Sequence, residues 1–202
     1  MRTYTLKKIH GAPDWKYIEV MPIDNFLWCD PVDITAQCQL CWDEDALYVR
    51  LEAKEKDIRM EETGPLAEVW DDSCLELFLQ PVEGDLYMNF EITPRLSYLI
   101  GQGDTDVENR IRLFVPDFEE RMDPKVTFTD TGWVLNYKIP FSFLRLFYPT
   151  FAAKEGVAFR ANSFKCGDKT VTPHFMSWNC VASEIPNFHR PEFFGQLVLG
   201  GE

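Results

Sequence analysis

The stretch Trp70-Asp71-Asp72-Ser73-Cys74-Leu75-Glu76-Leu77-Phe78-Leu79-Gln80-Pro81 decides how this chain is read. From Ser73 the residues alternate, with Ser73, Leu75, Leu77 and Leu79 on one side and Cys74, Glu76, Phe78 and Gln80 on the other. That is the period of a β-strand with two unlike faces. The leucine side asks for a core, and the other side places the carboxylate of Glu76 in mid-strand. Just upstream, a tryptophan and two aspartates sit at the strand mouth. A flat ring beside acceptor groups at the end of a sheet suits a polar molecule with one apolar face.

Similar alternation recurs on both sides of this stretch. Thr3 to Ile9 forms a short first strand. Trp15 to Pro31 has no clean period and reads as an irregular wrap with Trp28 packed. Ala36–Trp42 and Ala46–Ala53 alternate about the charged turn Asp43-Glu44-Asp45, which makes them a hairpin. After the turn Gly84-Asp85, Leu86, Met88, Phe90 and Ile92 share a face, and Tyr87, Asn89 and Glu91 share the other. The short connection makes this strand an antiparallel partner of the opening one, so Glu91 falls near the Glu76 face. The segment Gly101–Asn109 reads as a mobile acidic loop. Further strands are expected at 111–115, 126–129, 133–139, 157–164, 175–178 and 194–199, and Pro140 opens a short helix through Phe147. The expectation is a single domain over residues 1–202, an all-β fold: a two-sheet antiparallel β-sandwich of jelly-roll or immunoglobulin-like type with one short helix. Each strand is expected to have one buried and one wet face.

The formal charge of −13 excludes a phosphate backbone or an anionic membrane surface as partner, because both would be repelled. Neutral and cationic partners remain. No run approaches the ~20 apolar residues of a membrane span. The opening Met1–Lys8 lacks the apolar centre of a signal peptide, so with Met1 as native start a cytoplasmic location is expected. Aromatic residues make up 14% of the chain, more than a core needs, which leaves rings for display. Cys38-Gln39-Leu40-Cys41 has CxxC spacing, but residues three apart on a strand face opposite sides and cannot share a metal ion. No cofactor is expected.

Four blocks now carry a resemblance: Trp42–Val49, Val69–Phe78, Phe90-Glu91-Ile92 and Arg190–Leu199, the last with a Pro-x-x-Phe-Gly-x-Leu tail. In this order they resemble the family 9 carbohydrate-binding modules over most of the chain. The resemblance implies a β-sandwich that binds sugar, often at a glycan chain end, between two aromatic walls. Trp70 matches the first wall. Phe188 takes the place of the usual tryptophan in the second. Glu76 matches the family's glutamate and Asn162 its late-strand amide. Glu91 stands where the family can carry an arginine, which removes a donor and adds a negative charge. Members are usually extracellular, and some hold structural calcium, for which Asp71 and Asp72 are the candidate ligands here.

The residues support the same site. A pyranose has apolar C–H faces and a rim of hydroxyls, so rings and carboxylates or amides together are what it needs. The partner expected is a mono- or oligosaccharide, bound by Trp70, Phe188, Glu76, Asn162 and Glu91 without catalysis. The competing class is a glycoside hydrolase using Glu76 and Glu91 as its carboxylate pair. His10, His174 and His189 are scattered, and neither a Gly-x-Ser-x-Gly nucleophile motif nor a phosphate-cradling glycine loop is present. A third class is a related sandwich binding a protein or a haem, which would need axial His or Met ligands.

Overall fold

In the computed structural model, which describes residues 1–202, strands dominate. In chain order they are β1 (Thr3–Lys8), β2 (Met21–Ile23), β3 (Asn25–Phe26), β4 (Thr35–Trp42), β5 (Ala46–Lys54), β6 (Cys74–Gln80), β7 (Tyr87–Ile92), β8 (Tyr98–Gly103), β9 (Ile111–Arg112), β10 (Lys125–Thr129), β11 (Gly132–Pro140), β12 (Ala158–Gly167), β13 (His174–Ser177) and β14 (Gly195–Leu199). They hydrogen-bond into one curled sheet in the order β10-β11-β5-β4-β1-β14-β12-β6-β7-β8-β9, with β2 on β4 and β13 and β3 beside β12.

The sheet is mixed, which departs from the purely antiparallel pairing expected. The first half of β1 runs parallel to β14, with Thr3 opposite Gln196, and its end runs parallel to β4, with Lys8 opposite Trp42. One short strand therefore joins the two arms of the sheet. All other ladders are antiparallel. There are two helices rather than one: α2 (Phe141–Phe147) lies where Pro140 announces it, and α1 (Phe118–Met122) is too short to leave a helical period.

The curl gathers the inward faces of both arms into one core. Leu40, Leu51 and Leu135 from one arm join Leu75, Leu77, Leu79, Phe90 and Ile100 from the other. Cys38 belongs to this core whereas Cys41, three residues on, does not, as alternation along β4 requires. A buried ionic network lies at its side. Glu55 accepts from Trp133 Nε1 (2.6 Å) and Ser73 Oγ (3.0 Å) and pairs with Lys165 Nζ (3.2 Å). Lys165 also donates to the Cys166 carbonyl and to His174 Nε2, each at 2.8 Å. His174 Nδ1 faces the Thr172 carbonyl at 2.7 Å, so it carries the ring proton.

One expectation fails in the middle of the sheet. Strands β6 and β7 are buried on both faces, not on one. The face opposite the core is roofed by a second apolar cluster, in which Phe78, Tyr87 and Phe164 meet Leu27, Val181 and Phe194. The segments before β4 and after β13 supply that roof.

Candidate functional site

Between the roof and strands β6–β8 lies a cavity of about 290 Å³. Antiparallel register sets Glu76 directly opposite Glu91, and Phe78 opposite Asn89, on its floor. The next ladder sets Gly101 opposite Asn89. A Cβ at position 101 would stand 2.5 Å from Asn89 Oδ1, so the glycine makes room for the amide.

The two floor carboxyls are almost wholly buried, Glu76 at 2% and Glu91 at 4% exposure. Glu76 Oε1 accepts from the Cys166 thiol at 3.0 Å, and Oε2 has no hydrogen-bond partner. Burial holds the Glu76 carboxyl well above the usual range, and Cys166 and Glu91 add to the effect. Glu91 accepts from Asn89 Nδ2 at 2.9 Å. Burial pushes its carboxyl up to about 7, against the opposing pull of that bond and of Arg110 and Arg112. A buried acceptor atom without a donor costs on the order of 1–3 kcal/mol, so Glu76 is a poor structural residue in this state.

The walls are aromatic. Trp70 sits half-buried on the single 3-10 turn Val69–Asp71 that leads into β6, with the Arg112 guanidinium 5.6 Å above its ring. Phe188 also lines the cavity, but one face is stacked on Phe164 at 4.2 Å between centroids. Trp28 stands beside it at 5.7 Å and lines the cavity too. Its backbone is left-handed (φ 54°) and its indole N–H donates to the Ser183 carbonyl. A non-glycine residue held in that region is strained unless its surroundings fix it.

Four of the five site residues expected from the sequence thus surround one cavity: Trp70, Phe188, Glu76 and Glu91. Asn162 is not among them. It is fully buried, donates to the Asn179 carbonyl (2.9 Å), and accepts from the N–H groups of Asn179 (2.9 Å) and Ser163 (3.0 Å). Its amide ties β12 to the segment after β13, and it does not line the cavity. The aspartates at the strand mouth are likewise engaged. Asp71 pairs with Lys169 at 2.6 Å, and Asp72 pairs with Arg59 and accepts from the Glu62 N–H at 2.8 Å. They are buried and neutralised by cations, which does not fit a calcium site.

Sequence reading missed several lining residues. Trp28 falls in the aperiodic segment and was expected to be packed. Arg110 and Arg112 flank Ile111 at the end of the acidic segment, a spacing that puts both on one side of a strand. Arg110 donates to Asn89 Oδ1 at 2.6 Å and lies 4.1 Å from the Tyr87 ring centre. These arginines supply the cationic donors that Glu91 does not. His189 is bonded to the Tyr87 hydroxyl at 2.9 Å, and burial and Arg110 lower its pKa to about 3, so it is neutral.

Comparison with known proteins identifies the family. The profile of carbohydrate-binding family 9 matches residues 9–199. A candidate carbohydrate-binding protein from Bacteroides uniformis ATCC 8492 superposes with a TM-score of 0.86 at 28% identity, covering 98% of this chain and 99% of that one. Two structures of a family 9 module from Caldicellulosiruptor kristjanssonii share the fold at lower identity. The complex with cellotriose has TM-score 0.69 at 12% identity (100% and 95% covered), and that with glucose 0.68 at 13% (100% and 97%). No protein of curated function matches the sequence. The match over nearly the whole length establishes that this chain belongs to carbohydrate-binding family 9.

Proposed function

We propose that this carbohydrate-binding chain holds a mono- or oligosaccharide in the cavity between Trp70 and the Phe188–Trp28 pair, and releases it unchanged. The β-sandwich-like scaffold presents the rings, and Glu91, Arg110 and the free oxygen of Glu76 take the sugar hydroxyls. The observation that carries this reading is the half-buried Trp70 ring in one cavity with a buried Glu76 carboxyl oxygen that has no hydrogen-bond partner. A sugar offers what each lacks, a C–H face for the ring and an O–H for the oxygen.

Stacking one sugar face removes about 60–80 Å² of apolar surface, worth roughly 1.5–2 kcal/mol, and a second wall about doubles that. After the cost of association, a dissociation constant in the micromolar to millimolar range is expected. A cavity at the small end of ligand sites suits a single sugar or a chain end better than an extended strand. The bound glucose and cellotriose of the Caldicellulosiruptor structures support a search that begins with β-glucans.

Titration calorimetry against a glycan panel tests the proposal, with Glu91→Gln expected to weaken binding about tenfold through a lost charged acceptor. Absence of heat with every neutral glycan would overturn it. Hydrolysis of a chromogenic glycoside that disappears in Glu76→Gln would overturn the non-catalytic part alone.

A further inference from the structure

Three soft or anionic donors converge beneath the cavity. Cys74 and Cys166 are directly opposite each other in the β12–β6 ladder, so their side chains share a face. Glu76 is two residues after Cys74 on the same face of β6. The two thiol sulfurs and one Glu76 oxygen all lie within 4.8 Å of one another. All three residues are buried. Cys74 is enclosed below, and Cys166 and Glu76 line the cavity floor.

We propose that Cys74, Glu76 and Cys166 form a binding site for one thiophilic divalent cation of the zinc class, with its fourth coordination position open to the cavity. The distances suit it. Zn–S bonds of about 2.3 Å and Zn–O bonds near 2.1 Å give tetrahedron edges of roughly 3.6–3.8 Å. The present separations, from 3.0 Å between Cys166 Sγ and Glu76 Oε1 up to the 4.8 Å limit, bracket those edges and require only small side-chain shifts. Two thiolates select zinc over calcium or magnesium, which take all-oxygen shells.

Independent support comes from Glu76 Oε2, a buried carboxyl oxygen with no donor, in a residue that also lines the cavity. A cation held through Oε1, the oxygen beside Cys166, would supply the positive charge this buried carboxyl lacks and leave Oε2 to the sugar. Without a metal the site is held neutral, since burial pushes the Cys74 thiol up to about 12, and the adjoining Cys74 sulfur, with burial, raises the Cys166 thiol as well. On binding, each thiol gives its proton to solvent as its sulfur bonds the ion, and the carboxyl does the same. Two thiolates, one carboxylate and a divalent ion leave a net charge of −1, in a cavity lined by Arg110 and Arg112 as well as by Glu91 and Asp168. Three protein ligands with one open position is an arrangement in which water or a hydroxyl completes the shell. Entry is through the cavity itself.

The test uses the full chain, reduced and stripped of metal, titrated with cobalt(II) and followed by absorption. One equivalent should saturate a thiolate-to-cobalt charge-transfer band together with the visible bands of a four-coordinate ion. Zinc should abolish both stoichiometrically, and millimolar calcium should leave them unchanged. The double variant Cys29→Ser/Cys180→Ser, which removes the two cysteines not counted as buried, should keep the band. Cys166→Ser should lose it, and Glu76→Gln should weaken cobalt binding at least about tenfold. No charge-transfer band at one equivalent, or a band lost in Cys29→Ser/Cys180→Ser, overturns the site. Should Cys166→Ser fail to fold, the wild type and that double variant decide between these outcomes. Sugar binding by the metal-free chain is a separate measurement and can stand if the metal site falls.

Discussion

Glu55 and Glu76 are both almost removed from water, at 4% and 2% exposure, yet their surroundings are opposite. Glu55 has a lysine, an indole N–H and a hydroxyl on its two oxygens. Glu76 has one thiol on one oxygen and nothing on the other. The first is the pattern of a group that holds the fold together, because every partner is met within the chain. The second is the pattern of a group whose partner comes from outside. In this molecule burial alone does not separate structure from function, but donor count does.

The comparison can be broken at several points. The largest effect is expected at Glu55→Ala, which leaves the Lys165 charge buried without its partner and should cost about 3–5 kcal/mol in urea unfolding. A cost under about 1 kcal/mol would mean that the network is not structural. Next is pH. Burial and the Lys165 charge lower the His174 pKa to about 4 from 6.5. The folded state therefore favours the neutral ring, and its contribution is complete above pH 6.5. As pH falls from 6.5 toward 4, the unfolded chain takes up a proton that the folded chain refuses. Stability on the order of 3 kcal/mol is then lost. In His174→Gln this share of the acid destabilisation should vanish, and an unchanged slope of stability against pH would contradict the assignment.

Smaller is Asn162→Ala, which leaves two backbone N–H groups and a carbonyl without partners and should cost about 1–3 kcal/mol, with sugar affinity unchanged in the folded fraction. A loss of affinity without loss of stability would return Asn162 to the site. The smallest effect is on the other side of the comparison. Glu76→Gln removes an unsatisfied acid and should shift stability by less than about 1 kcal/mol in either direction.

Much of this was readable beforehand. Alternation placed Leu75, Leu77 and Leu79 in the core and paired β6 with β7 so that Glu76 faces Glu91. Nothing in that period shows what covers the other face. Phe78 and Cys74 lie on that face, and the roof that buries Phe78 comes from residues about fifty positions before and a hundred after, in segments without periodicity. Trp28 was out of reach for the same reason. Asn162 was placed by its position in a family pattern, and what a position cannot tell is where an amide's hydrogen bonds go. Asp71 and Asp72 were candidate calcium ligands as adjacent carboxylates at the strand mouth. Their cations, Lys169 and Arg59, are distant in sequence and adjacent only in the fold. The parallel pairing of β1 follows from its central place between β14 and β4, which short-range patterning does not encode.

The most direct test is titration calorimetry of glucose and short β-glucans into the wild type and into Trp70→Ala. One site of micromolar to millimolar affinity is expected in the wild type. Binding should be weaker by about ten- to thirtyfold in the variant, the equivalent of one stacked sugar face, with an unchanged unfolding midpoint. Equal affinity in the two proteins would remove the Trp70 ring from the site.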